Sequence, residues 1–217
     1  MLSNFELSFA IIGSIVIQIV TYAILKINRG SKKPKGTILE NVKSNPEAGR
    51  ATGNPILWTI ALIGLCVYFI LLIKLIGHCL SNSWETSNLY RYAIRFPIWL
   101  NYIGIVIILF SGFLKGGIMI YNINFTPFFF PMKKDYTLAT GGPYKFVRHP
   151  IYVLHVLWAL SLFLMTGIQW FIVSLVCYLS YILQAYYEEN ALKKIFGAAY
   201  NDYASKTGMF FPKLFNR

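Results

Sequence analysis

The run Arg148-His149-Pro150-Ile151-Tyr152 puts a guanidinium, an imidazole and a phenol at the entrance to an apolar stretch. A second run, Glu188-Glu189, puts two carboxylates at the exit from another. Proline suits the first turn of a helix, because its missing N–H is one of the donors left unpaired there anyway. A helix is therefore expected to begin near Pro150. Its free N–H groups and positive dipole end would stand beside Arg148 and His149, an arrangement suited to a carboxylate or a phosphate. Tyr152 lies just inside the first turn, and His155, three residues on, shares its face. If the two apolar stretches form a hairpin, the end of the second returns to the start of the first, and Arg148 and His149 meet Glu188 and Glu189. A cation, an imidazole, two carboxylates and tyrosines then converge at one membrane face. Structural readings stand beside each of these. An arginine–glutamate pair can simply lock a hairpin, His149 can cap a helix, and His155 can bond a backbone carbonyl inside the bundle. Tyr144, Tyr186 and Tyr187 fit an interfacial aromatic belt.

The elements that must position these groups are set by hydropathy. Of 217 residues, 56% are hydrophobic and 13% charged, and the mean hydropathy is +0.54. A soluble domain of this size has too little interior to hide so much apolar surface. Five apolar segments cover about 5–25, 55–80, 96–121, 150–166 and 168–187. A helix needs ~20 residues to cross ~30 Å of hydrocarbon. The first, second, third and fifth segments meet that length. The fourth is short, and only Gly167 separates it from the fifth, so the two are expected to form a tightly turned hairpin that need not cross fully. The expected fold is an all-α integral membrane protein of about five transmembrane helices, the last two a hairpin, followed by a C-terminal cytoplasmic helical segment. No internal repeat or low-complexity tract occurs.

The net charge of +12 would suit nucleic acid, but the basic residues collect in loops between apolar runs, as in cytoplasmic membrane loops. Nucleic acid is therefore not an expected partner. Arg29, Lys32, Lys33, Lys35, Lys43 and Arg50 fill the first loop, and only Arg91 and Arg95 the second. Lys133, Lys134, Lys145 and Arg148 fill the third, and Lys193, Lys194, Lys206, Lys213 and Arg217 the tail. This alternation predicts the N-terminus outside and the C-terminus in the cytoplasm. Glu6 and the lack of a basic run before the first apolar segment predict a retained anchor rather than a cleaved signal. Cys66, Cys79 and Cys177 form no C-x-x-C pair, so neither a metal site nor a disulfide framework is expected. Lys74 and Lys115 lie inside apolar segments; either they contact an ion or substrate, or, the favoured reading, they snorkel to the nearer interface.

The order G-G-P-Y-K-F-V-R-H-P-I-Y, then E-E-N-A-L-K-K-I-F-G-A-A-Y-N-D-Y, then Phe211-Pro212 resembles the integral membrane methyltransferases, namely the isoprenylcysteine carboxyl methyltransferases and phospholipid N-methyltransferases. The resemblance covers about residues 100–212 and implies a catalytic core over 100–217 behind two N-terminal helices and a basic loop in 1–99. It also implies S-adenosylmethionine as methyl donor. No G-x-G-x-G turn after a strand is present, so the donor needs another cradle. By resemblance, Arg148 suits the donor carboxylate, and Glu188 or Glu189 its ammonium or ribose hydroxyls. His149 would bond the donor or hold a glutamate. Tyr152 and the tyrosines at the end of the fifth segment would wall the adenine and face the sulfonium. The implied donor site is Tyr144, Arg148, His149, Tyr152, Glu188, Glu189 and Tyr200, with Arg148, Glu188 and Glu189 in the catalytic role. Phe196, Gly197 and Tyr200 would belong to a cytoplasmic lid. The implied acceptor is a lipid or lipidated molecule in the bilayer, carrying either a carboxylate or an amine. The short chain favours a plasma membrane over the endoplasmic reticulum. One position departs from the family: Leu154 stands where many members carry glycine, which puts local packing in question. Two other readings remain. Membrane sterol and steroid reductases share an R-H-P-N-Y-like motif and bind NADPH, but Ile151 replaces that asparagine; and a member without catalysis would serve as a membrane scaffold.

Overall fold

The computed structural model describes residues 2–29, 36–37, 54–81, 93–122 and 138–213. The basic residues Lys32, Lys33, Lys35, Lys43 and Arg50, together with Arg91, Lys133, Lys134 and Arg217, lie outside them, as do the side chains of Arg29 and Cys79. Helix α1 spans Asn4–Arg29. It opens on a capping box: the Ser3 hydroxyl accepts from Glu6 N at 3.2 Å, and Glu6 Oε2 accepts from Ser3 N at 2.8 Å, so two end donors are satisfied reciprocally. Helix α2 spans Pro55–Ser81. Pro55 takes the position that needs no donor, and Asn54 Oδ1 caps Ile56 N at 2.9 Å. Helix α3 spans Ile98–Tyr121.

Helix α4, Pro150–Thr166, has 17 residues and ends on Gly167 at φ 70°. A Cβ at Gly167 would lie 1.9 Å from Ile94 O, so the hairpin turn demands glycine twice, for its handedness and for its contact. Ile94 N donates to Gly167 O at 2.9 Å. The chain then returns as α5, Trp170–Tyr178, and α6, Ser180–Lys206. The fifth apolar segment, expected as one helix ending near 187, carries a local irregularity at Leu179, whose backbone stays helical, and runs on past the acidic pair. Within α6, Gly197 adopts φ 53° and ψ −126°, a conformation closed to side chains with a Cβ. The helix bends there, and the tail folds back. Two-residue strands, Gly36–Thr37 and Leu138–Ala139, pair antiparallel.

By length and composition, four helical stretches can cross a membrane: Asn4–Asn28, Pro55–Gly77, Ile98–Tyr121 and the joined Trp170–Lys206, with Pro150–Thr166 a shorter apolar helix. Ile12, Val16 and Ile19 on α1, Ile63 and Ile70 on α2, and Val106 and Phe113 on α3 are exposed. In water such faces would drive aggregation, whereas against lipid they are the expected surface. The protein is a multi-pass membrane protein. Between helices, polar side chains take up backbone oxygens, as apolar contact alone gives little preference over lipid. Ser14 Oγ donates to Ile108 O at 2.7 Å, Asn101 Nδ2 to Leu164 O at 2.7 Å, and Ser174 Oγ to Gly64 O at 2.8 Å. Helix α3 packs between α1 and α4, and α2 packs against α5 and α6. Leu154 is fully buried with Ile118 and Tyr144. It fills the seam between α3 and α4.

Candidate active site

Pro150 begins α4 and His149 takes the N-cap position, but the imidazole makes no capping bond. It turns instead toward α6, where the hairpin delivers Glu188 and Glu189. Arg148 Nε donates to Glu189 Oε1 at 2.7 Å, and Nη2 to Glu189 Oε2 at 3.1 Å. This is the two-point fork that guanidinium and carboxylate geometries favour. Nη1 donates to Ala204 O at 3.1 Å and to Thr207 O. Arg148 is therefore a bracket joining the start of α4, the acidic pair and the returning tail. The tail is tied further by Arg148 N to Gly208 O at 2.8 Å and His149 N to Met209 O at 3.1 Å. The bend at Gly197 makes this return possible.

His149 lies between the two carboxylates, with Nδ1 3.4 Å from Glu188 Oε2 and Nε2 3.3 Å from Glu189 Oε1. Both ring nitrogens face acceptors, and only the imidazolium can donate from both. Burial works against the charged ring, but the hydrogen bonds and charges of Glu188 and Glu189 outweigh it and hold the His149 pKa above its ordinary value. Arg148, His149, Glu188 and Glu189 form a quartet of zero net charge.

The two glutamates are not equivalent. The Glu189 side chain is 7% exposed and both its oxygens accept from Arg148. The Glu188 side chain is 19% exposed. It accepts from Tyr152 Oη at 2.6 Å and faces His149, which leaves lone pairs open, since a carboxylate has about four acceptor sites. Tyr152 is held flat between His149, at 5.3 Å and 7°, and Tyr181, at 4.3 Å and 4°. His155, on the Tyr152 face as expected, bonds through Nδ1 to Tyr181 Oη at 2.7 Å rather than to a backbone carbonyl.

Arg148, His149, Tyr152, Glu188 and Glu189 thus meet in one cluster. Tyr144 sits in a packed cluster with Ile118 and Leu154, while Tyr200 is near enough to Arg148 and Glu189 to interact with both. Tyr144 accepts from Asn122 Nδ2 at 2.8 Å and, through its carbonyl, from Tyr203 Oη at 2.6 Å. Tyr200 is 1% exposed beside Leu138, Ile195 and Phe196. Sequence reasoning missed Trp58, Tyr181 and Gln184. Trp58 in the first turn of α2 meets Tyr152 and Tyr181 edge-on at 5.8 and 6.1 Å. Gln184 Oε1 accepts from Asn54 N at 3.0 Å, which fixes the orientation of the amide. Its Nε2 is buried with no hydrogen-bond partner among the described residues. Gln184 lies one helical turn before Glu188, a spacing that flags a shared face. The pairing of α2 with α6 carries no local signal.

The fold and cluster define a multi-pass membrane protein with a charged, aromatic-walled site at one end of a helical hairpin. The family described as Phospholipid methyltransferase matches residues 99–199. Protein-S-isoprenylcysteine O-methyltransferase of Xenopus laevis is 32% identical over 127 residues, covering 53% of this chain and 42% of the relative. The enzyme of that name from Schizosaccharomyces pombe is 35% identical over 81 residues, covering 36% of this chain and 34% of the relative. The chain therefore spans less than half the length of either relative. Over the matched residues it is similar to the isoprenylcysteine carboxyl and phospholipid methyltransferases of membranes, in line with the motif order.

Proposed function

We propose that the protein transfers a methyl group from S-adenosylmethionine to a lipidic acceptor in the bilayer, with residues 100–217 as the catalytic core. The N-terminus would lie outside and the site at the cytoplasmic face, where the donor arrives from water and the acceptor from the side, in a plasma membrane rather than the endoplasmic reticulum. The donor supplies an activated methyl group on a sulfonium centre. The residues present fit such a molecule, whose amino-acid end needs both a hydrogen-bond donor and an anion. Gln184 offers a buried Nε2 with no partner among the described residues, and Glu188 offers the one partly open carboxylate of the quartet. This pairing carries the reading.

The roles divide accordingly. Glu188 would bind the ammonium or ribose hydroxyls, with its carboxylate aimed by Tyr152 Oη and His149. Gln184 would donate to the carboxylate end. Tyr152 and Tyr181, stacked on each other with Trp58 edge-on against both, would wall the donor beside Glu188. Arg148 and Glu189 would position rather than bind, because their bonding capacity is spent on each other and on the tail. Tyr144 and Tyr200 would support the walls. In-line transfer needs aligned reactants and little water, and the folded-back tail over His149, including Phe210 at 5.8 Å, would exclude water.

Calorimetry on the detergent-purified protein tests this, with S-adenosylmethionine and NADPH in parallel and Glu188→Gln as the control. Saturable binding of S-adenosylmethionine, weakened in the variant, is the expected result. Binding of NADPH instead would replace the methyltransferase by a reductase, and binding of neither by a folded protein would leave a scaffold.

A further inference from the structure

Lys74 and Lys115 both interrupt apolar helices, but they differ in the fold. Lys74 is exposed on α2, as snorkelling requires. Lys115 is half-buried and continues the core-facing stripe of Asn101 and Ile108, at seven-residue spacing beside buried Ser111 and Ile118. Its Nζ lies 5.4 Å from the ring centroid of Trp158, two turns inside α4. Lys115 thus lies over a ring face on the neighbouring helix.

No carboxylate among the described residues pairs with it. Glu6 bonds Ser3 and Tyr102, and Tyr102 is thirteen residues from Lys115, roughly 20 Å along α3 at 1.5 Å per residue. Asp202 pairs with Lys206, and Glu188 and Glu189 belong to the quartet. An ammonium among apolar helices is costly when nothing neutralises it, and a tryptophan face offsets only part of that cost. A second group nearby is also unsatisfied: Tyr178 is 2% exposed and its hydroxyl has no partner among the described residues. Lys115 meets Trp158, Tyr178 meets His155, and those two rings lie against each other. His155 lies 5.5 Å from Trp158 and 5.8 Å from Tyr178. From there contacts run unbroken to the proposed donor site, through His155 to Tyr181, Tyr181 to Tyr152, and Tyr152 to Glu188.

We infer that Lys115, beside Trp158, holds the anionic headgroup oxygen of the lipid acceptor and so determines which acceptors are taken. This rests on the methyltransferase reading. The anion supplies the missing countercharge, while the acceptor's hydrocarbon stays among the exposed apolar faces. Prenylated carboxylates and phospholipid phosphates share this chemistry, and neutral lipids lack it.

The test reads acceptor binding without donor, so failure of donor binding would strike the methyltransferase reading alone. Purified protein in phospholipid-free micelles of a non-ionic maltoside detergent is titrated with an S-prenylated N-acetylcysteine, with its alcohol analogue, and with phosphatidylethanolamine. We expect the wild type to bind the acid at least about tenfold more tightly than the alcohol, as loss of a charge-assisted bond implies. Lys115→Met should abolish that preference without weakening S-adenosylmethionine binding, and Lys115→Arg should restore it. If phosphatidylethanolamine instead is the ligand that Lys115→Met weakens, the anion is a phosphate and the subsite stands. A Lys115→Met variant that binds every ligand as the wild type does would overturn the inference. Should Lys115→Met fail to fold, a wild type that treats acid and alcohol alike and ignores phosphatidylethanolamine would overturn it as well.

Discussion

Arg148 and Glu188 entered the sequence reading as partners in one task, and their surroundings assign them different ones. Arg148 spends its donors on Glu189 and two tail carbonyls, whereas Glu188 keeps acceptor capacity at a partly open position. Glu188→Gln should therefore weaken S-adenosylmethionine binding by about tenfold or more, the cost of a charge-assisted hydrogen bond, while melting falls less than on removal of the Glu189 charge; calorimetry and a melting curve on the same sample check both halves. Glu189→Gln should do the reverse at first order. It strands the Arg148 guanidinium, and breaking a pair this buried costs about 3–5 kcal/mol, read as a clear drop in melting temperature in detergent. Equal melting of the two variants would remove the division of roles.

At the scale of elements, two glycines set the geometry. Gly167 turns the hairpin against Ile94, and Gly167→Ala would force a Cβ to 1.9 Å from a backbone oxygen at a positive φ. Strong destabilisation or loss of folded protein is expected on size exclusion. Gly197 has open space around it, with nothing within 4 Å of a built Cβ, so Gly197→Ala acts through the backbone alone, at about 1–3 kcal/mol. Straightening α6 would relieve that strain and carry Ala204 and Thr207 away from Arg148. The expected signature is a membrane-embedded protein whose tail beyond 197 is cut faster by protease than in the wild type. The turn at Gly167 is expected from the sequence as the break between two apolar segments, whereas the bend at Gly197 has no periodic signal: a glycine in a helical pattern reads the same whether it is packed, bent or terminal.

For the whole molecule, the quartet ties stability to pH. His149 has its folded pKa raised by Glu188 and Glu189 against the cost of burial. A group with a raised folded pKa contributes stability that is fully present below its unfolded value, about 6.5 for histidine, and lost as pH rises through the folded value. Melting temperature in detergent should therefore fall as pH is raised from about 6 through the folded pKa of His149, and His149→Asn should flatten that decline. A wild type whose stability rose over that interval would contradict the imidazolium assignment. The same quartet joins α4 to α6 and the tail, so its loss should be felt in hairpin and tail together.

Hydropathy, charge placement and the prolines at the helix starts determined by themselves a bundle of apolar helices, a hairpin from Pro150 and the meeting of Arg148 and His149 with Glu188 and Glu189. These follow from local physics: spans need apolar length, proline fits a first turn, and a tight hairpin brings its ends together. The family motif order determined which chemistry to look for. Only the tertiary structure decided that Arg148 and Glu189 exhaust each other, that Glu188 stays open, and that Trp58 and Gln184 border the site. It alone placed Lys115 over the Trp158 ring. Those outcomes depend on which helices pack side by side and on which face, and packing between segments distant in the chain leaves no periodicity in either one.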